Sequence, residues 1–271
     1  MHTIDHAGAR IAYRVDGAGP GLVLVHGTGG DSESHWGHLV PHLAPHWTVV
    51  RPEYAGSGQT RDQGGPLTVA TLADQVVAAA RAAGTVPFDL AGFSLGAPIA
   101  VHIAAEYPQL VRSVVLLAGF ASSDSPRQAM QFELWRDLIR SDRASMARIA
   151  LLTGFSPAFL SSLDEAALTQ NIDFMLDNIN WEGMARQIEL DRTLNVCEQA
   201  RRITRPALVI GCRHDQMVPV DHAHRLAALI PHAEYAEMET GHIALWERPD
   251  EFIELACGFL RRHAGERAGR N

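Results

Sequence analysis

Short apolar runs of strand length recur along this chain, and a helix-like stretch follows nearly every one; no other feature restricts the possible folds as much. The runs cover residues 22–25, 48–51, 88–91, 113–117, 207–211 and 234–238. The helix-like stretches cover 32–43, 68–83, 95–106, 221–229 and 249–262. Continuous apolar strands, rather than alternating ones, need cover on both faces, and a parallel sheet with helices on each side provides it. In the second helical stretch Val69, Leu72, Val76 and Val77 share one stripe, as a helix lying on such a sheet requires. Upstream, two alternating runs at 3–5 and 10–16 flank His6-Ala7-Gly8-Ala9 and predict an opening antiparallel hairpin.

The alternation breaks once. Residues 121–204 hold helical patterns and no convincing strand: Phe132, Leu134, Trp135, Leu138 and Ile139 suit one helix, 149–152 a second and 174–181 a third. Connections in parallel sheets rarely exceed a helix and about a dozen residues, so the segment is expected to be a helical cap inserted into the sheet domain. The division that follows is a core of 1–120 and 205–265, a cap of 121–204 and a flexible tail of 266–271. The cap is rich in Phe132, Trp135, Phe155, Phe159, Phe174, Met175 and Trp181; at helical spacing most of these are expected to pack the cap itself.

Composition removes several kinds of chemistry. Lys+Arg number 23 and every one is arginine. Without lysine there is no Schiff base, no pyridoxal-phosphate anchor and no P-loop phosphate lysine. The formal charge of −8 has no clustered basic stripe, which argues against nucleic acid as a partner. The apolar runs are far below the ~20 residues of a membrane helix, and the first ten residues lack a signal-peptide core, so a cytoplasmic protein without membrane attachment is expected. Cys197, Cys212 and Cys257 form no CxxC pair and are expected to be free thiols, Cys212 buried at a strand end.

Gly92-Phe93-Ser94-Leu95-Gly96 lies between a strand and a helix. In that context G-x-S-x-G is a nucleophile elbow: a sharp turn lifts the serine hydroxyl clear of the sheet, with a helix N-terminus behind it to favour developing negative charge. The plainer reading is a Gly-rich loop that merely starts a helix, with the serine as its N-cap; the strand before it and the helix after it favour the elbow. A serine hydroxyl needs a base, and the base an orienting group. The strand at 207–211 runs into Cys212-Arg213-His214-Asp215, and the last strand into Glu239-Thr240-Gly241-His242. Both ends lie on the edge of the sheet where functional groups collect, so Ser94, His242 and Asp215 are the candidate triad. Asp124 is the rival acid, and His26, His214, His35, His38 and His42 are rival histidines. His35, His38 and His42 are read as a solvated helix face rather than a metal site, since no cysteine or carboxylate completes the set; no metal and no cofactor is expected.

An oxyanion needs two preorganised donors. His26-Gly27-Thr28-Gly29-Gly30 follows the strand at 22–25, which makes the amide of Thr28 one candidate and that of Leu95, just after the nucleophile, the other.

These motifs, with Gly241-His242-Ile243-Ala244-Leu245-Trp246-Glu247-Arg248-Pro249, resemble the α/β-hydrolase superfamily along nearly the whole chain. The resemblance implies a mostly parallel central sheet flanked by helices, with Ser94 as nucleophile, His242 as base, Asp215 as orienting acid and Thr28 and Leu95 as oxyanion donors. One stretch departs from the family: residues 51–60 stand where relatives carry D-x-x-G-x-G-x-S, with Glu53 and Ala55 replacing the commoner residues. The expected activity is cleavage of an ester, lactone or thioester of a small apolar or aromatic substrate through an acyl-enzyme. The alternatives are C–C bond hydrolysis, acyl transfer or perhydrolysis on the same triad, or a non-catalytic binding protein. Phe93, Trp135 and Trp246 are candidates to line the substrate pocket, and the chain is expected to act as a monomer or homodimer.

Overall fold

The computed structural model describes residues 1–264. The tail expected at 266–271 lies outside the described residues. Eight strands form one sheet: β1 (His2–His6), β2 (Ala9–Asp16), β3 (Gly21–Val25), β4 (Thr48–Glu53), β5 (Phe88–Phe93), β6 (Val111–Leu117), β7 (Ala207–Cys212) and β8 (Glu234–Met238). Their spatial order is β1-β2-β4-β3-β5-β6-β7-β8. The expected hairpin is there, β1 pairing antiparallel with β2 and β2 antiparallel with β4, while every pair from β4 to β8 is parallel. β3, β5 and β7 are buried along their whole length, as their largely apolar runs required.

Two apolar layers form on the two faces. Along β3, Val23 and Val25 enter one layer with α2 (Val69–Ala82), α3 (Gly96–Glu106) and α10 (Asp221–Leu229). Leu22 and Leu24 enter the other with Trp36, Leu39, Leu43 and α12 (Pro249–Ala264). Each fully buried Val, Leu or Phe in these layers contributes about 1.5–3 kcal/mol over an exposed one. α2 begins where the sequence suggested, with the Thr68 hydroxyl accepting from the Thr71 amide as an N-cap.

The stretch at 32–43 is a correction. Only α1 (Val40–Leu43) is α-helical there, preceded by a 3-10 turn at Gly37–Leu39. The Asp31 side chain accepts from the amides of Glu33 and Ser34 at 2.9 and 2.8 Å as a helix cap would, but the backbone that follows makes separate turns, the Gly37 N–H donating to Glu33 O at 2.8 Å and the Leu39 N–H to Trp36 O at 3.0 Å, with Gly37 weakening helix in the middle of the stretch. No continuous helix face therefore presents His35, His38 and His42. His38 stacks on Trp246 and its Nε2 lies 2.8 Å from Leu245 O, His35 turns inward, and His42 is exposed.

Between β6 and β7 the chain is helical: α4 (Pro126–Ser141), α5 (Arg143–Gly154), α6 (Pro157–Ser162), α7 (Glu165–Asn178), α8 (Trp181–Asp191) and α9 (Cys197–Arg201). Ser125, Asp142, Ser156, Asp164 and Asn180 each cap the helix that follows with a side-chain oxygen, a contribution of about 1 kcal/mol apiece. Phe132, Trp135, Phe155 and Trp181 are buried; Phe174 is exposed. Phe132 and Trp135 belong to the same apolar layer as Phe120 at the end of β6, so this helical segment shares its core with one face of the sheet. Cys212 is buried at the end of β7, as expected. Among the described residues no helix is long and apolar enough to cross a membrane.

Candidate active site

Ser94 sits at the junction of β5 and α3 with φ +54°, a left-handed conformation that a non-glycine residue adopts only under constraint. The two glycines of the motif make the junction possible by close approach. A Cβ on Gly92 would lie 2.2 Å from Gly96 O, and one on Gly96 2.2 Å from Val25 O at the end of β3. The turn is thus pressed against the neighbouring strand, and the serine is aimed outward at the N-terminus of α3.

β7 and β8 bring the other two groups to the same edge. Their pairing continues into the loops, where the amides of Arg213 and His214 donate to Met238 O and Thr240 O at 2.9 Å each. Asp215 and His242 are consequently neighbours although 27 residues separate them in sequence. Asp215 Oδ1 accepts the amides of Met217 and Val218 at 2.8 and 2.7 Å, and its Oδ2 lies 2.6 Å from His242 Nδ1. An aspartate already accepting two amide hydrogens acts as an acceptor, so His242 Nδ1 carries the proton and Nε2 presents a lone pair. That Nε2 lies 2.9 Å from Ser94 Oγ. Asp215 and His242 are buried, at 3% and 4% exposure. The rival acid Asp124 is instead exposed and forms a two-pronged pair with Arg225 at 2.8 Å, whose guanidinium holds its carboxyl down to about 2.

Beside Ser94 runs the loop of residues 26–30. Gly27 packs so tightly that a Cβ on it would come within 2.8 Å of Ser94 Cβ. The loop is bonded from several sides. The Gly27 N–H donates to His35 Nδ1 at 3.1 Å, the Gly29 N–H to Gln187 Oε1 at 2.8 Å, and the Gly30 N–H to Gly27 O at 3.4 Å. Tyr54 donates its hydroxyl to His26 O at 2.9 Å and stacks on the His26 ring. Burial, and next the neighbouring His26, push His35 down to about 3, which keeps Nδ1 free to accept from Gly27. Among the described residues no acceptor takes the amide of Thr28, nor that of Leu95. Both N–H groups selected from the sequence are therefore available beside Ser94.

The departure at 51–60 has a structural purpose. Glu53 is buried, with Oε1 accepting the Ser32 hydroxyl at 2.6 Å and Oε2 the Gln59 amide at 2.5 Å, so its carboxylate closes the loop after β4 from within.

Of the three pocket candidates, Phe93 is brought to the triad, its ring 5.2 Å from that of His242 and edge-on to His35 at 5.1 Å. Trp135 is buried edge-on to Phe132, and Trp246, half-exposed, stacks on His38 and donates its indole N–H to Ser34 O. Sequence reasoning missed Tyr54, Gln187 and Asp191, and placed His35 on a solvated face although it accepts the Gly27 amide. Asp191 is the most unusual: it is 2% exposed, its Oδ2 accepts the Thr28 hydroxyl at 2.7 Å, and its Oδ1 has no partner. Burial pushes the Asp191 carboxyl up to about 7 against the opposing pull of Thr28 and of His242. Among the described residues no three His, Cys, Asp or Glu side chains converge as a metal site.

A strand-borne serine at an elbow, with histidine and aspartate on later strand ends, defines a hydrolase built on an open, mostly parallel sheet. The chain belongs to the alpha/beta hydrolase fold family, whose sequence model matches residues 20–249. It is similar to the pyrrolizixenacetamide deacetylase of Xenorhabdus hominickii, 56% identical over 96% of this chain and 98% of that protein. A pimeloyl-(acyl-carrier protein) methyl ester esterase of Xanthomonas oryzae pv. oryzae is 32% identical over 91% of this chain and 97% of the relative. Among solved structures, an enol-lactonase from Burkholderia xenovorans LB400 superposes with a TM-score of 0.86 at 26% identity, covering 96% of this chain and all of that one, 100%. The expected fold and enzyme class are thereby established.

Proposed function

We propose that this enzyme removes an acyl group, acetyl first among them, from an ester or amide of a small, largely apolar molecule through an acyl-enzyme on Ser94. The observation that carries the reading is the chain of contacts from Ser94 Oγ to His242 Nε2 at 2.9 Å and from His242 Nδ1 to Asp215 Oδ2 at 2.6 Å. His242 takes the Ser94 proton as Oγ bonds to the carbonyl carbon, and the carbonyl oxygen becomes an oxyanion held by the amides of Thr28 and Leu95. Collapse breaks the bond to the leaving alcohol or amine, which takes the proton from His242. Water, deprotonated by the same histidine, then releases the acid and restores Ser94. Asp215 keeps the imidazole in its working tautomer and stabilises the imidazolium. Residues 121–204 act as a cap that closes the site from above. The acyl class is supported by the company the chain keeps: the names of the deacetylase, the methyl ester esterase and the enol-lactonase all denote cleavage at a carboxylic carbonyl.

The experiment is a panel of acetyl, butyryl and octanoyl esters, lactones, acyl thioesters and N-acetyl amides, read as kcat/KM for the wild type and Ser94→Ala. Turnover of short acyl donors and a loss of about 10⁴-fold or more in Ser94→Ala are expected, with near-native circular dichroism. Undiminished turnover in Ser94→Ala would sink the reading.

A further inference from the structure

Two polar side chains occupy the buried stripe of α8. Gln187 is 0% exposed and Asp191 2%, and each has an atom without a partner, Nε2 of Gln187 and Oδ1 of Asp191. Apolar residues would fill this stripe at lower cost, since burying an amide or carboxyl without full hydrogen bonding is unfavourable. What the pair holds accounts for its presence. Gly183, Gln187 and Asp191 lie four residues apart and so share one face of the helix. Gly183 seats the helix against the loop after β4, where a Cβ would come within 1.9 Å of Gly56 O. Gln187 Oε1 then accepts the Gly29 N–H at 2.8 Å, and Asp191 Oδ2 the Thr28 hydroxyl at 2.7 Å.

These contacts bracket the one loop amide that has no acceptor among the described residues. The Thr28 N–H shares a peptide plane with the carbonyl of Gly27. That carbonyl is held on its far side by His26 Nδ1 at 2.9 Å and the Tyr54 hydroxyl at 3.3 Å. With the carbonyl fixed behind and the Thr28 side chain and following amide fixed in front, the plane has one orientation. Its N–H then points away from those partners. We propose that Gln187 and Asp191 are positioning residues for the Thr28 amide, so that α8 is a structural part of the oxyanion hole. This rests on the reading of Ser94 as nucleophile and Thr28 as an oxyanion donor.

Loss of an oxyanion donor lowers kcat about 10²–10³-fold, and a donor that is present but misdirected should lose somewhat less. Asp191→Ala and Gln187→Leu are therefore expected to lower kcat roughly 10–100-fold with KM changed less than about threefold. Asp191→Asn keeps an acceptor for the Thr28 hydroxyl and should recover most of what Asp191→Ala loses. Thr28→Val removes the donor of the same bond, so it should match Asp191→Ala, and the double variant should be no worse than either. If Asp191→Ala does not fold, Thr28→Val against Asp191→Asn makes the same comparison. Wild-type kcat in Gln187→Leu and Thr28→Val, with only a lowered Tm, overturns the proposal, as does an equal kcat loss in Asp191→Asn and Asp191→Ala. Ser94→Ala in the same assay separates the two readings: if it retains turnover, the nucleophile is wrong whatever α8 does; if it abolishes turnover, the α8 variants judge the positioning alone.

Discussion

Replacing Asp191 with asparagine should make the protein's stability less sensitive to pH, and the size of the effect follows from burial. The Asp191 carboxyl is raised from 3.8 to about 7 in the fold, with burial as the largest cause. A group whose folded pKa exceeds its unfolded value holds its proton longer in the native state. The stability this confers is complete below pH 3.8 and is lost as pH rises through about 7. Three pKa units at 1.36 kcal/mol each put the full loss at roughly 4 kcal/mol, of which about 3 kcal/mol falls between pH 5 and pH 8. Asparagine keeps an oxygen for the Thr28 hydroxyl and has no charge to bury. Any cost of its unpaired amide hydrogens is the same at both pH values and cancels. Equilibrium urea unfolding of the wild type and Asp191→Asn at pH 5 and pH 8 reads the effect directly. The stability of the variant relative to the wild type should rise by about 3 kcal/mol across that interval. A difference constant within about 0.5 kcal/mol would show that the carboxyl does not titrate between these values, and the burial argument would be wrong.

Three further outcomes test the triad from other directions. Ser94→Gly relieves the left-handed backbone at φ +54°, so it should be about 1 kcal/mol more stable than the equally inactive Ser94→Ala, a Tm difference of roughly 2–4 °C by calorimetry. Asp124→Ala should leave kcat within twofold and stability within about 1 kcal/mol, its pair with Arg225 being exposed. Asp215→Asn should lower kcat about 10⁴-fold by favouring the wrong tautomer of His242.

The parts of this molecule legible in the sequence are those set by local pattern. β3 and β7 announce themselves as unbroken apolar runs, and β5 as one interrupted by Asp89, because both of their faces are buried, and the elbow shows because its glycines cannot be replaced where backbone meets backbone. Asp215 and His242 could be found because parallel strands deliver their C-terminal ends to one edge. The stretch at 32–43 misled because apolar spacing does not show where consecutive helical bonding gives way to separate turns, as it does around Gly37. Aromatic size alone gives no direction, so the sequence could not say that Trp135 packs on Phe132 and Trp246 on His38. Asp191 and Gln187 left a trace that went unread: two polar residues on the same stripe as Met184 and Ile188, where an ordinary amphipathic helix would be apolar. Their partners, Thr28 and Gly29, lie more than 150 residues away, 163 and 158 positions, and no local pattern carries that pairing.

The loop bearing His242 is tied to the helical segment as well as to the sheet. The Ile243 N–H donates to Gly154 O at 2.9 Å, and Glu247 Oε1 accepts both the Gly241 N–H at 2.9 Å and the Ser156 N–H at 2.7 Å. The segment between β6 and β7 is therefore not a detachable module. Excising it would leave the amide of Ile243 without its acceptor and the carboxylate of Glu247 half-empty, and the histidine loop would lose its shape even though every strand remained. Grafting a foreign segment in its place would have to reproduce that seam before it could change which molecules are accepted.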